Sequence, residues 1–105
     1  MSKNYVSYMI RDSEFTTVNA KKVIEDIRAF YPTYPHVILS LKKVDYIDSS
    51  GVSSLIKLNQ ELKNNLYIID YNERIYELYT IMDISKFLNF YGNIEDAIYA
   101  IQQKD

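Results

Sequence analysis

Over residues 5–10 the chain alternates, with Val6, Tyr8 and Ile10 on one side and Tyr5, Ser7 and Met9 on the other, which is the period of two that a β-strand requires. The second side is only half polar. From Asn19, a residue type that caps helices, Ala20, Val23, Ile24, Ile27 and Phe30 recur at helical spacing until Tyr31-Pro32-Thr33-Tyr34-Pro35 breaks the pattern. Residues 37–41 are almost wholly apolar between that turn and a lysine pair, as in a strand buried on both faces of a parallel sheet. Val52, Leu55, Ile56, Leu58 and Leu62 then form one stripe, opposed by Ser54, Lys57, Gln60 and Glu61, which predicts an amphipathic helix ending near Asn64-Asn65.

A second short apolar strand is expected over residues 66–69, a helix capped by Asn72 and carrying Ile75, Leu78, Tyr79 and Met82 follows, and residues 87–91 read as a further strand. A last helix opens at Asn93, with Glu95 and Asp96 placed to complement its dipole and Ala97, Ile98 and Ile101 on its inner face. Strands alternating with helices imply right-handed crossovers and a parallel arrangement. The expected fold is therefore one α/β domain over residues 1–105, with a mainly parallel sheet of four or five strands and helices mostly on one face. Its core should include Val37, Leu39, Leu41, Leu55, Ile56, Ile68, Leu78 and Ile98.

Composition narrows the chemistry. At 105 residues, 48% apolar and 25% charged, the chain resembles an ordinary soluble domain that buries roughly 60–68% of its unfolded surface. A net charge of −2 with interspersed signs forms no basic stripe, so direct nucleic-acid binding is not expected. There is no apolar run of membrane-spanning length and no signal-peptide pattern, so membrane insertion is not expected and the cytoplasm is the expected location. With no cysteine and one histidine, thiolate chemistry and the usual metal sites fall away, and no cofactor is expected.

The candidate chemistry lies in Asp48-Ser49-Ser50-Gly51, between an apolar strand and the start of a helix. N–H groups in the first turn of a helix lack intrahelical acceptors and carry partial positive charge, so an anion on either serine is favoured there. Asp48 adds a negative charge, and Gly51 has no side chain to obstruct an approaching partner. Asp48, Ser49 and Ser50 would also serve simply as helix caps. No Gly-x-Ser-x-Gly elbow is present and the only histidine precedes the strand, so nucleophilic hydrolysis, and enzymatic activity in general, is not expected.

This order of elements around Asp48-Ser49-Ser50-Gly51 resembles the STAS domain of bacterial anti-sigma-factor antagonists, over residues 6–101 and most closely over 37–62. The resemblance implies a non-catalytic partner in a switch. An anti-sigma factor that is a serine kinase phosphorylates the antagonist on the first serine of the motif, here Ser49, with Ser50 the competing choice. The unphosphorylated form binds the kinase and frees the sigma factor, the phosphorylated form does not, and a phosphatase resets it. The implied partner surface runs through Asp48, Ser49, Ser50, Gly51, Val52 and Ser53. An alternative of another class is a STAS adaptor never phosphorylated, a scaffold in a signalling complex or a component of a lipid-transport system.

Three positions depart from the family pattern. The short stretch before Asn19 is expected to reduce the opening hairpin to one strand; an acidic residue before the first helix is Thr16; and a glycine closing the third helix is Asp83. Elsewhere, His36 is expected at the surface or at a strand edge with no function, the Lys42-Lys43 pair reads as a solvated turn or a contact to an acidic group, and spaced tyrosines such as Tyr76 and Tyr79 are expected to rim the core.

Overall fold

The computed structural model describes residues 4–104. Its elements run β1 (Tyr5–Met9), β2 (Glu14–Phe15), α1 (Ala20–Arg28), β3 (His36–Ser40), β4 (Tyr46–Ile47), α2 (Ser49–Glu61), β5 (Leu66–Ile69), α3 (Glu73–Ile81), a single 3-10 turn (Ile84–Lys86), β6 (Asn89–Phe90) and α4 (Ile94–Lys104). β1, β3, β5 and β6 form a four-stranded sheet in that order, with every pairing parallel. β3 and β5 are buried along their whole length, as the apolar runs over residues 37–39 and 66–69 require.

Two apolar layers cover the sheet. Val37, Leu39, Leu41, Leu66 and Ile68 pack under Ile24 and Ile27 of α1, Leu55 and Leu58 of α2 and Ile75 of α3. On the opposite face Ile38, Tyr67 and Ile69 meet Ala97 and Ile101 of α4. Three helices on one face and one on the other agree with the expected arrangement. Of the residues expected inside, Ile56, Leu78 and Ile98 are only partly buried, because a helix stripe wider than the sheet contact leaves its flanking positions at the rim.

The N-terminal expectation needs correction. One strand from this region joins the main sheet, but a second exists: β2 pairs in parallel with β4, Glu14 against Tyr46 and Phe15 against Ile47, outside that sheet. Two-residue strands show no periodicity, so nothing local announces them. The strand expected over residues 87–91 shortens to Asn89–Phe90 because the 3-10 turn precedes it and Phe87 stays exposed.

His36 also differs from expectation. It is 5% exposed at the start of central strand β3, with Nδ1 lying 3.0 Å from the Tyr67 hydroxyl on β5; a polar group can be buried where such a partner exists. Tyr76 and Tyr79 do rim the core, in contact with Tyr71 and Phe90.

Asn59 is a buried amide that the apolar stripe concealed. Its Nδ2 donates to Phe87 O at 2.8 Å and Asn64 Oδ1 at 3.0 Å, and its Oδ1 accepts from Leu66 N at 3.0 Å. One side chain thus fixes α2 to the head of β5 and to the segment before β6. Asp83, by contrast, bears a cost: at φ 51° and ψ 47° it closes α3 in the left-handed region, which disfavours a residue with a Cβ.

Two stability outcomes follow, both read by denaturant unfolding. Leu55→Ala removes a side chain 1% exposed and should cost about 2–5 kcal/mol, with half-buried Ile56→Ala costing less. Asp83→Gly should stabilise the domain by about 0.5–1 kcal/mol, since glycine adopts φ > 0 without the Cβ penalty. Equal losses at Leu55 and Ile56, or a destabilised glycine variant, would contradict the packing and the backbone assignment respectively.

Candidate functional site

Parallel crossovers place the C-terminal ends of the strands and the N-termini of the following helices at one end of a sheet, where open α/β sheets bind partners. β4 delivers the chain to this end, and Asp48, in extended conformation at φ −99° and ψ 178°, is the N-cap of α2. Its Oδ1 accepts from Gly51 N at 2.7 Å and its carbonyl from Val52 N at 3.0 Å. Asp48 therefore satisfies a first-turn donor and opposes the positive end of the helix dipole.

Ser49 and Ser50 occupy the first two helical positions and are both exposed, as is Ser53. They differ in surroundings. Ser50, with Ser54 and Lys57, lines a shallow groove of about 330 Å³ whose other wall is Thr17, Lys21 and Arg28 of the α1 side. Ser49 is not among the groove residues. Across this groove Arg28 donates two hydrogen bonds of 2.7 Å to Glu61, which hold the Glu61 carboxyl below its ordinary pKa. Because both side chains are still partly solvated, the pair, which ties α1 to α2, adds little stability.

Gly51 and Val52 face inward. Val52 is 3% exposed in the core. A Cβ on Gly51 would overlap the Phe15 carbonyl oxygen and lie 2.8 Å from Ile47 Cγ1. The partner that needs Gly51 to be bare is thus this chain's own β2, in place of the external partner the sequence suggested. Of the motif, the exposed part is the hydroxyl edge Ser49, Ser50 and Ser53 beside half-buried Asp48.

The surrounding loops are tied by side-chain amides. Asn19 holds the N-cap position of α1 as expected, but its side chain makes no cap bond: its Oδ1 accepts from Thr16 N at 2.9 Å and its Nδ2 donates to Asp12 Oδ2 and Glu14 O, each at 2.7 Å. It braces the β2–α1 loop, which begins at Thr16 beside Phe15. Asn72 caps α3 through Ile75 N at 2.8 Å, as expected, and also donates to Val44 O at 3.3 Å just upstream of the motif. Ser40 Oγ donates to Asp70 Oδ2 at 2.8 Å, joining the ends of β3 and β5. Lys42 and Lys43 lie in an exposed turn. The distant partners of Asn72 and Ser40, 28 and 30 positions away, carry no local sequence signal. Among the described residues no group of three His, Asp or Glu could hold a metal ion, and no helix is long and apolar enough to cross a membrane.

The STAS domain family model matches residues 7–97. No curated protein sequence matches the chain. Among solved structures it is similar to a candidate anti-sigma factor antagonist from Thermotoga maritima, at 14% identity and TM-score 0.79, covering 97% of this chain and 91% of that one. It is similar also to murine Solute Carrier 26 family member A9, an anion transporter, at 14% identity and TM-score 0.81, covering 97% of this chain and 18% of that one. A third is the anti-sigma factor antagonist SpoIIAA in its unphosphorylated form, at 14% identity and TM-score 0.65, covering 97% and 93%. At these identities the likeness is one of fold.

The Gly51 contact can be tested by substitution. A helix interior ordinarily gains up to about 1 kcal/mol when glycine becomes alanine. Gly51→Ala should instead lose about 1–3 kcal/mol, because a backbone carbonyl cannot move aside cheaply. Gly92→Ala, whose Cβ would meet only Asp96 Oδ2 at 3.9 Å, is the control. A Gly51→Ala protein as stable as wild type would show that β2 does not press on α2.

Proposed function

The chain belongs to the STAS domain family, and from that premise we propose that it is an anti-sigma-factor antagonist, switched off by phosphorylation of Ser49 by an anti-sigma factor kinase and reset by a phosphatase. The observation that carries this reading is the state of Ser49: exposed, at the first position of α2, directly after an aspartate whose carboxylate already accepts from Gly51 N. The fold shared with SpoIIAA and the Thermotoga maritima protein supports it. Ser50, equally exposed, lines the groove against α1 and remains the competing acceptor.

In the transfer step the Ser49 hydroxyl oxygen bonds to the γ-phosphorus of ATP held by the kinase, the bond to the ADP oxygen breaks, and the hydroxyl proton leaves to a base or solvent. This chain provides the nucleophile and its position; the catalytic groups belong to the kinase. The product carries about −1.5 to −2 units of charge. At a helix N-terminus such charge is favoured by about 0.3–1 kcal/mol, so the fold survives. The effect falls on the partner. In an interface over Asp48, Ser49, Ser50 and Ser53, a phosphate next to Asp48 repels acidic groups and must be desolvated, and a penalty of about 3–4 kcal/mol corresponds to a hundredfold to thousandfold weaker complex. Gly51 and Val52 contribute to that surface from beneath, by fixing the height of the first turn.

Incubation with the anti-sigma factor kinase and magnesium ATP should add one phosphoryl group to wild type and to Ser50→Ala, and none to Ser49→Ala. Ser49→Asp should keep the wild-type circular dichroism and nearly the same Tm while losing at least tenfold in affinity for the kinase by calorimetry. Phosphate mapping to Ser50 would move the acceptor by one residue. A stable complex that ATP leaves unmodified would assign the chain to the adaptor class instead.

A further inference from the structure

The outer edge of β1 bears on association. β1 is the terminal strand of the sheet, paired only with β3 among the described residues. Two ladder bonds fix its phase: Asn4 O accepts from His36 N, and Ile10 N donates to Ser40 O. In a parallel pair alternate residues of one strand direct both backbone groups to the neighbour. The even residues therefore serve β3, and Ser7 and Met9 turn their N–H and C=O groups outward.

Edges of this kind are normally guarded by lysine, proline, a bulge or a covering element, because an exposed ladder recruits another strand. Residues 4–10 contain no charge and no proline. α1 does not close over the edge. It leaves a groove of about 550 Å³ bordered by Ser7, Met9, Arg11, Asp12, Lys22 and Asp26. The occupant must be an extended strand, since only a strand offers backbone groups at the matching spacing. The charged lining is two cations and two acids, so the groove favours neither an acidic nor a basic peptide.

We propose that the occupant is a second copy of this chain, with two β1 strands pairing antiparallel about a two-fold axis at Tyr8. This phase uses only the outward groups: Ser7 and Met9 of each copy exchange four backbone hydrogen bonds with Met9 and Ser7 of the other. It also places Tyr8 beside Tyr8, Val6 beside Ile10, Tyr5 beside Arg11 and Asn4 beside Asp12, so apolar residues meet apolar ones and no like charges face each other. The contact is isologous and closes on itself, giving one eight-stranded sheet from two four-stranded ones. It uses no residue of the Asp48–Ser53 surface and stands independently of the function proposed above.

Sedimentation equilibrium on the full chain alone, over a concentration series, is the test. Wild type should show reversible growth in mass from 12.4 kDa to twice that value. Met9→Lys, which puts an ammonium group on the pairing edge of each copy, should raise the dimer Kd at least tenfold with unchanged circular dichroism. Ser7→Pro should do the same, since it removes an outward N–H and proline is tolerated on an edge strand in that orientation. Should Ser7→Pro misfold, amide hydrogen exchange of wild type decides: Ser7 and Met9 should become protected as concentration rises. A chain that stays at 12.4 kDa at every concentration, or a dimer whose Kd Met9→Lys leaves unchanged, overturns the proposal.

Discussion

The five residues of β3 and the four of β5 are buried on both faces, and this requirement for double cover governs the rest of the molecule. Strands apolar on both faces are stable only between two layers, so helices must lie above and below them. Parallel pairing then forces each connection to return across the sheet, and right-handed crossovers place α1, α2 and α3 on the same face. Only α4 remains for the other face, where Ala97 and Ile101 cover Ile38, Tyr67 and Ile69. One consequence is that helix N-termini and strand C-termini collect at a single end, and a run of exposed hydroxyls beside a capping acid, Asp48 to Ser53, stands there.

At that end, the fold and the proposed switch draw on neighbouring residues in different ways. Asp48 caps α2, Gly51 admits the β2 backbone and Val52 fills the core; these three build the platform. The serines touch little and are left to solvent. A rigid first turn carrying exposed hydroxyls suits a modification whose effect is read by a partner without rearranging the fold, because the new charge meets the favourable end of a helix.

Most of this architecture was legible because it is local. The apolar runs of β3 and β5, the stripe of α2 and the caps Asp48, Asn72 and Asn93 show in a few consecutive residues, and each cap forms the bond expected of it. Even the glycine missing at Asp83 could be read as a left-handed helix end before its φ of 51° was known. What escaped is long-range. β2 and β4 are two residues each and exist because Phe15 and Ile47 meet across thirty-two positions of chain. Asn59 looked like one polar residue on an apolar stripe, since its acceptor at Phe87 lies far along the sequence. His36 was expected near the surface because the Tyr67 hydroxyl that accommodates it belongs to another strand.

Asn72 carries a consequence of its own. Its amide is a rigid planar plate with one end bonded to the first turn of α3 and the other to the carbonyl of Val44. While both bonds hold, the loop feeding Asp48 and the start of α3 are clamped together and cannot be displaced separately by more than the few tenths of an ångström a hydrogen bond tolerates. A load applied at the serine edge is therefore shared with α3, whose Ile81 lies 80% open to solvent, through a linkage that bypasses the packed interior.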